Sequence, residues 1–402
     1  MHNSIPEPVL RTATDHELRQ FRSILAGQRR KRLAGKNFWE RHLERFSGAW
    51  REASHGIRQS GRPVSSRHGV SLVTQFVQIF AEYVRCGTMA KNYYFFQLYL
   101  PDRWRERAKQ FTSGSDFLGA QCAQSERYHA PNDLHDKVIF DAKCKSAGLP
   151  HIPVVAVFDD GHAVEGINAL PTKDLITKPA GGWYGVDVNL WRYDSVSDSF
   201  SNEIADQELR PPALIQHLCE LSRGTTLIVQ ERVRNHESMS PLTNGALSTL
   251  RIVTCRHPSG SIDFMPSVVR MPAGRCVVDN LARGGLAAPI DLTTGEICGP
   301  AIQKDPQLGI RRLDRHPDTG QPLRGTPIPM WQQALSVATR AHLAFPSIHF
   351  VGWDVAILPD GPVLVEGNPI FDTDLTVLPH GLTLSDTQYI PYYIHYWERA
   401  ND

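Results

Sequence analysis

Apolar side chains recur at three- and four-residue steps along the first part of the chain. Between Glu17 and about Phe111 this spacing is typical of helices that bury one face. The pattern predicts an all-α N-terminal region, which we assign to residues 1–128. The residues that carry the pattern are Phe21, Ile24 and Leu25, then Phe38, Trp39, Leu43 and Phe46, then Phe76, Ile79, Phe80 and Val84.

After Gly119 the pattern changes to short runs of β-branched and aromatic residues, bounded by Gly, Pro and Asp turns. One helix comes first, with Asn132 as its predicted N-cap and a stop at Gly148. The mixture predicts an α+β fold with largely antiparallel pairing. The predicted strands are 154–158, 175–178, 226–230, 250–255, 262–270 and 350–358, and the helices among them are 212–221 and 331–343.

The charge balance limits the classes of partner. The 402 residues carry 43 basic and 42 acidic side chains, so the formal charge is only +1. This balance argues against a protein drawn to nucleic acid by charge alone, and the basic run at residues 29–32 is interpreted as a solvated helix face. No apolar stretch approaches the roughly 20 residues needed to cross a bilayer. We therefore expect neither nucleic-acid nor membrane partners.

The N-terminus and the cysteines both indicate a reducing compartment. The first residues lack an apolar core followed by a small-residue cleavage site, so we predict a cytoplasmic protein. The seven cysteines contain no C-x-x-C pair, which predicts reduced, mostly buried thiols rather than disulfides or a zinc site.

The most informative segment is 350–368, which reads F-V-G-W-D-V-A-I-L-P-D-G-P-V-L-V-E-G-N. Pro and Gly in its centre predict a hairpin, and a three-residue loop at 359–361 places Asp354 opposite Glu366, with Asn368 on the same face. Such neighbours lie about 4.5 to 5.5 Å apart, and like charges there destabilise the hairpin unless a positive charge intervenes. Two carboxylates and an amide oxygen suit Mg²⁺. The alternative is an exposed hairpin with solvated acids.

A second candidate element could bind phosphate. Lys178 ends a predicted strand and is followed by Gly181, Gly182 and Gly185, whose backbone N–H groups could approach phosphate oxygens. Lys137 lies in the first turn of a predicted helix, where the helix dipole disfavours a cation unless an anion is bound. The alternatives are a Gly-rich hairpin turn and a lysine whose amine reaches water.

These residues follow the order used by ATP-grasp enzymes: Asp136-Lys137, Lys178 with its glycines, Gln230-Glu231-Arg232-Val233, then Asp354 and Glu366-x-Asn368. In detail, the chain resembles the sugar-transfer associated ATP-grasp group over roughly residues 133–374. The resemblance implies two α+β subdomains that clamp ATP, a lid and central subdomain at 129–232 and a catalytic subdomain at 233–402. Its motifs are S-T-L-R-I-V-T at 248–254, V-D-N-L-A-R-G-G at 278–285, G-W-D-V-A-I and G-P-V-L-V-E-G-N.

The resemblance also implies roles for individual residues. Asp354, Glu366 and Asn368 would hold magnesium as two ions, with Glu366 as the bridge. Many relatives have an arginine two residues before the first metal aspartate, but this chain has Gly352, so Arg251 is our substitute for stabilising the transferred phosphoryl group. Lys178 and Asn368 complete the implied catalytic set. The implied ATP-binding residues are Lys137, Lys178, Gly181, Gly182, Gly185, Gln230, Glu231, Val233 and Glu237.

Other residues are candidates for binding the substrates. Arg270 and Arg283 could grip a substrate carboxylate, with Asn280 beside them, or form structural ion pairs instead. Asp372 and Asp374 could hold an amine, although two acids after a strand are more often solvated.

The resemblance implies an ATP-dependent carboxylate–amine ligase that forms an amide through an acyl phosphate and releases ADP and phosphate. Its partners would be a small-molecule carboxylate and an amine. The alternatives are a small-molecule kinase on the same scaffold and a nucleotide-binding protein without turnover.

Overall fold

The computed structural model describes residues 11–32, 38–103, 121–122, 124, 133–164, 169–181, 187–202, 205–274 and 279–399. The α+β class and the helical N-terminal region predicted from the sequence are both confirmed. The N-terminal helices are α1 (Asp15–Arg32), α2 (Phe38–Gly56), α3 (Arg62–His68), α4 (Leu72–Cys86) and α5 (Ala90–Phe95), and a π-helical turn (Ile57–Gly61) joins α2 to α3.

The first β-sheet has seven strands, all paired antiparallel, in the order β2-β1-β7-β3-β4-β5-β6. Helix α6 (Lys137–Ser146) precedes this sheet, and α7 (Pro211–Leu221) packs on it through a shared apolar cluster. The strands are β1 (Val154–Asp159), β2 (His162–Ala163), β3 (Leu175–Pro179), β4 (Asn189–Asp194), β5 (Ser199–Asn202), β6 (Gln207–Leu209) and β7 (Thr226–Glu231).

The second β-sheet also has seven antiparallel strands, in the order β12-β11-β10-β9-β8-β13-β14. The strands are β8 (Thr249–Arg256), β9 (Ile262–Met271), β10 (Leu286–Ile290), β11 (Ala301–Asp305), β12 (Gly309–Leu313), β13 (Phe350–Leu358) and β14 (Gly361–Asn368). The remaining helices are α8 (Trp331–Ala344), α9 (Asp374–Val377) and α10 (Tyr389–Arg399), with short 3₁₀ turns at Glu237–Leu242, Leu281–Arg283 and Leu384–Asp386.

The predicted cap of α6 was wrong. The helix begins at Lys137, and its N-cap is Asp136, whose carboxylate accepts hydrogen bonds from the N–H groups of Val138 and Ile139. Asn132 lies outside the described residues. The aspartate side chain satisfies two N–H groups that would otherwise have no partner at the helix start.

The N-terminal helices share their cores with the second sheet. Tyr93 and Tyr94 of α5 belong to one apolar cluster with Val268 of β9 and Ile302 of β11. Helix α1 packs in the same way against α10, where the rings of Phe21 and Tyr393 lie 5.2 Å apart. The boundary at residue 128 stays a prediction, because these clusters cross it.

The described cysteines, Cys122, Cys144, Cys219, Cys255 and Cys298, are free thiols. Only Cys144 and Cys255 are buried, so the expectation of mostly buried thiols is wrong for this part of the chain. No described helix has the length and apolar character that crossing a bilayer would require.

Candidate functional site

The hairpin of β13 and β14 brings the two predicted carboxylates together. Asp354 lies opposite Glu366, as the sequence predicted. The loop is shorter than expected, because Leu358 pairs with Gly361 rather than with Pro362. A β-bulge between Asp354 and Val355 then shifts the register and restores the predicted pair.

Asp354 is almost completely buried and accepts hydrogen bonds from two arginines. Nε of Arg251 donates to its Oδ1 at 2.6 Å, and Nη2 of Arg251 and Nη2 of Arg270 donate to its Oδ2 at 3.1 and 2.8 Å. Burial would raise the pKa of Asp354, but the two guanidinium charges overcome that effect and hold the pKa at about 2. Asp354 is therefore a charged group at neutral pH.

The arginines supply much of the positive charge that the sequence argument assigned to a metal. Glu366 and Asn368 complete the predicted metal set on the same side of the hairpin, where Nδ2 of Asn368 donates to Oε1 of Glu366 at 3.2 Å. With its amide nitrogen so directed, Asn368 has its carbonyl oxygen available as a ligand. The donors fit Mg²⁺, which in proteins is bound by one or two carboxylates together with phosphate oxygens. Among the described residues there is no group of three or more acids, histidines or cysteines that could hold a metal without such help.

The two predicted phosphate lysines lie in the electrostatic field of this hairpin. Burial and the charge of Lys137 lower the pKa of Lys178 to about 8, while Glu366 and Asp354 counteract the shift. Burial also lowers the pKa of Lys137, against the opposing effect of Glu366 and Asp136. Lysines from α6 and β3 thus lie close enough to Glu366 of β14 for their charges to interact.

The glycine loop is only partly described. Gly181 is the second residue after the end of β3, and the Lys137 amine donates to the carbonyl of the intervening Ala180 at 3.1 Å. Gly182 and Gly185 lie outside the described residues. Lys137 therefore lies beside the start of the loop that the resemblance assigns to phosphate.

The predicted adenine and ribose residues lie at the end of β7 and on the segment that follows it towards the second sheet. Glu231 ends β7 and binds Lys173 at 2.7 Å, Val233 follows it half-buried, and Glu237 is exposed at the start of a 3₁₀ turn. The side chain of Gln230 is used structurally, because its Nε2 donates to the carbonyl of Ile152 at 2.7 Å. Their nucleotide contacts stay predictions.

The link between the sheets is hydrogen-bonded to the β13–β14 hairpin and to β8. The N–H of His236 donates to the carbonyl of Ile357 in β13 at 2.8 Å. The amide of Asn235 donates to the carbonyl of Ser248 at 2.9 Å and accepts from the N–H of the same residue at 2.8 Å. The link between the sheets is thus held on both β8 and β13.

Gly352 leaves room for the side chain of Arg251. Arg251 is the residue that we proposed as the substitute for the arginine that many relatives have at position 352. Arg251 lies opposite Asp354 on the neighbouring strand β8. A Cβ atom at Gly352 would lie 3.1 Å from Cδ of Arg251 and 3.1 Å from Cγ of Phe371. The side chain of Arg251 therefore lies next to the position where a side chain at residue 352 would begin.

The predicted substrate residues lie on three elements of the chain: strand β9, the 3₁₀ turn Leu281–Arg283 and the start of α9. Arg270 forms ion pairs with Asp279 at 3.3 Å and with Asp354 at 2.8 Å, which was the structural alternative for this residue. Asn280 caps a 3₁₀ turn by accepting from the N–H of Ala282, and Arg283 is exposed at the end of that turn. The remaining pair, Asp372 and Asp374, are joined by a hydrogen bond from the Asp374 N–H to Asp372 Oδ1 at 3.0 Å, and burial raises the pKa of Asp374.

Sequence reasoning missed the residues that hold Arg270. Thr249 accepts hydrogen bonds from Nε and Nη2 of Arg270 at 3.0 and 2.8 Å, and its hydroxyl donates to Asp279. Asp279 is buried as well, which raises its pKa despite the nearby Arg270 charge. The available signal was an arginine inside an apolar strand, because such a residue requires a buried acid as partner.

Known proteins resemble this chain in sequence and in fold. The profile of the family described as "Sugar-transfer associated ATP-grasp" matches residues 123–387. No curated protein matches the sequence. The ADP complex of purK, an N5-carboxyaminoimidazole ribonucleotide synthetase, is 12% identical, with 60% of this chain and 46% of that chain covered and a TM-score of 0.34.

Two D-alanine–D-alanine ligases are also similar in structure. The enzyme from Helicobacter pylori is 10% identical, with 65% of this chain and 58% of that chain covered and a TM-score of 0.36. The enzyme from Bacillus anthracis is 11% identical, with 67% and 69% covered and a TM-score of 0.38. The chain spans about half the length of the first two of these three structures. Because the family profile matches more than half of the sequence, the chain belongs to the sugar-transfer associated ATP-grasp family and has the ATP-grasp fold.

Proposed function

We propose that the protein is an ATP-dependent carboxylate–amine ligase that forms an amide bond through an acyl phosphate and releases ADP and phosphate. The observation that carries the proposal is the convergence of Asp354 and Glu366 on one face, with Arg251 on one carboxylate and Lys178 in the field of both. The basic groups are suited to the phosphates of a nucleoside triphosphate and the carboxylates to its magnesium. Family membership supports ATP as that nucleotide.

The chain would act by positioning and by neutralising charge. Lys137 and Lys178 would bind phosphate oxygens, and Arg251 would stabilise charge on the transferred phosphoryl group from its place beside Asp354. Because the substrate carboxylate itself attacks the γ-phosphate, no protein nucleophile is required. Water must be excluded, because hydrolysis of the acyl phosphate would compete with amide formation.

Magnesium, as two ions, would be held by Asp354, Glu366 and Asn368, and when bound it would neutralise phosphate charge and polarise the phosphoryl group. The two guanidinium groups on Asp354 orient its carboxylate before any cation arrives. Among the described hydrogen bonds, both arginines donate to Asp354, whereas Glu366 accepts from Asn368, which supports Glu366 as the bridging residue that the resemblance implies.

On the substrate side, we propose that Arg283 and Asn280 approach the carboxylate and that Asp372 and Asp374 approach the amine. We do not propose that Arg270 contacts the substrate. Its guanidinium is committed to Asp279, Thr249 and Asp354, so it would orient the site rather than grip a substrate.

The test of the reaction is ADP release measured across a panel of amino acids, amino sugars and small diacids, with ATP, magnesium and hydroxylamine. A ligase with the right acid gives a hydroxamate, because hydroxylamine attacks the acyl phosphate. A kinase releases ADP with an alcohol substrate and gives no hydroxamate. A hydroxamate therefore supports the ligase, and phosphorylated product without hydroxamate contradicts it.

The metal assignment is tested within the same hairpin. We expect Glu366→Gln to reduce substrate-dependent ADP release by at least ~100-fold, a typical cost of losing a group that stabilises transition-state charge. Asp360→Asn is the matched control, since Asp360 lies in the exposed turn between the same two strands and should leave the rate unchanged. An active Glu366→Gln protein would show that the carboxylate pair does not hold magnesium.

A further inference from the structure

Asp279 is a buried acid to which the reaction proposed above gives no role. Its Oδ1 atom lies 3.3 Å from Nη2 of Arg270. The same nitrogen donates to Oδ2 of Asp354 at 2.8 Å. One guanidinium nitrogen therefore contacts both an aspartate that we assign to magnesium and an aspartate that we do not.

Thr249 holds Asp279 and Arg270 in this arrangement. It lies opposite Arg270 in the pairing of β8 with β9. Its hydroxyl oxygen accepts hydrogen bonds from Nε and Nη2 of Arg270, and its single hydrogen is donated to Oδ2 of Asp279. Both oxygens of Asp279 thus face donors, which is the environment that an ionised carboxylate requires.

The charges around Asp354 balance only when Asp279 is included. Arg251 and Arg270 both donate to Asp354, so these three side chains together carry one net positive charge. A net positive charge at a magnesium ligand opposes the binding of a divalent cation. Asp279 supplies the missing negative charge, and because it is buried, water and salt screen that charge little.

We propose that Asp279 is a positioning residue of the metal site. Through Arg270 it compensates the charge of one of the two arginines, so that Asp354 can be oriented by both arginines and still bind magnesium. The inference rests on the magnesium assignment of the proposed function. It adds a residue that sets the affinity of the site for the cation without being one of its ligands.

A purely structural role for Asp279 makes a different prediction. Asp279 directly precedes the Asn280 cap of the 3₁₀ turn Leu281–Arg283, so it could serve only to anchor that turn. An anchor that is lost stays lost when Arg270 is changed as well. Charge compensation, in contrast, is restored when Arg270 loses its charge together with Asp279.

The test is Mn²⁺ binding to the full chain, measured by electron paramagnetic resonance with a nonhydrolysable ATP analogue present, since Mn²⁺ accepts the oxygen ligands that suit Mg²⁺. We expect Asp279→Asn to weaken Mn²⁺ binding at least ~10-fold, the effect of one added positive charge on a nearby divalent ion. Asp279→Asn combined with Arg270→Gln should bind Mn²⁺ like the wild type, because Arg251 still donates to both oxygens of Asp354.

Two controls separate loss of charge compensation from loss of structure. Asp263→Asn is the matched substitution, because Asp263 lies near the other end of β9 and accepts from the hydroxyl of Tyr392 instead, and it should bind Mn²⁺ like the wild type. In EDTA, Asp279→Asn should bind the analogue no more weakly than the wild type, because an added positive charge does not repel phosphate. Circular dichroism should show that every variant is folded.

The outcomes distinguish this inference from the proposed function. Wild-type Mn²⁺ binding in Asp279→Asn, with weakened binding in Glu366→Gln, would overturn the inference and leave the metal assignment standing. Equal binding by the wild type and Glu366→Gln would contradict the metal assignment and the inference with it. A double variant that binds Mn²⁺ as weakly as Asp279→Asn alone would also overturn the inference, since Asp279 would then act as an anchor.

Discussion

Asp354 is the residue at which the opposite charges of the site meet. A buried carboxylate is costly unless it is paired and hydrogen-bonded, and Asp354 meets both conditions through Arg251 and Arg270. Such a pair is sensitive to the loss of one partner, because the remaining charge is then buried without compensation. Arg270 is in turn paired with Asp279 and hydrogen-bonded to Thr249. The charged groups of the site therefore form one connected network.

Lys178 gives the site a pH dependence of its own. Its pKa of about 8 means that the amine is charged below pH 8 and neutral above it, so an attractive charge for phosphate is lost as the pH rises. We expect the contribution of Lys178 to ATP affinity, measured by calorimetry in EDTA, to be constant below that pKa. Above it, affinity should weaken by up to about tenfold per pH unit.

Two variants make the assignment specific. Lys178→Arg should bind ATP without this pH dependence, since a guanidinium stays charged. Glu366→Gln should move the midpoint to lower pH, because the Glu366 carboxylate holds the pKa of Lys178 up. Lys173→Arg, at an exposed lysine that pairs with Glu231, is the control and should bind like the wild type. A midpoint that Lys178→Arg leaves in place would assign the titration to another group.

At the scale of elements, the site depends on how β13 fits between its two neighbours. Strand β8 presents Arg251 opposite Asp354, and β14 presents Glu366 opposite the same residue. Gly352, two residues before Asp354, keeps that face of β13 open for the arginine and for Phe371. The residue at position 352 of β13 thus decides whether Arg251 of β8 can reach Asp354.

We expect Gly352→Ala to lower the free energy of unfolding by about 1 to 3 kcal/mol, the usual cost of overpacking a tight site. The added Cβ lies 3.1 Å from both Arg251 and Phe371, so activity should fall with stability as the arginine shifts. Chemical denaturation and the ADP-release assay measure the two effects.

Gly27→Ala is the control for that substitution. Gly27 lies in α1 with nothing within 4 Å of an added Cβ, so alanine should stabilise the helix by roughly 0.5 to 1 kcal/mol. If Gly352→Ala were as well tolerated, the packing of Arg251 against this strand would not limit the site.

At the scale of the whole molecule, the N-terminal helices and the second sheet stabilise each other. The turn between β11 and β12 approaches α5 so closely that a Cβ at Gly309 would lie 2.3 Å from the backbone carbonyl of Tyr94. We therefore expect helices on one side of the predicted boundary at residue 128 and strands on the other to unfold as coupled parts.

Gly309→Ala tests this coupling. We expect it to destabilise the protein more than Gly320→Ala, by about 1 to 3 kcal/mol, because only Gly309 meets a rigid backbone. Both glycines have positive φ, +84° and +71°, so the conformational strain is similar and cancels in the comparison. Hydrogen exchange should show lost protection in α5 as well as in β11 and β12. Loss confined to the turn would mean that the helices are an independent unit.

The hairpin shows how far the sequence predicted the site. The apolar runs around Asp354 and Glu366 fixed two buried strands, and the prediction that the acids face each other is confirmed. The loop was predicted one residue too long, and the bulge was not predicted. The two errors cancel because the burial of Leu364 and Trp353 constrains which side chains enter the core. The residues of the turn alone do not determine this register, because it depends on which side chains pack into the core.

The sequence by itself determined the helical N-terminal region, most strands around the site, and the order of residues that marks an ATP-grasp protein. Those features are local, because periodicity and turn residues act over a few positions. Only the tertiary structure decided that Arg251 and Arg270 converge on Asp354, and that Thr249 and Asp279 hold Arg270 there. Such contacts join residues far apart in the chain, where charge compensation and packing, rather than local pattern, select the partner.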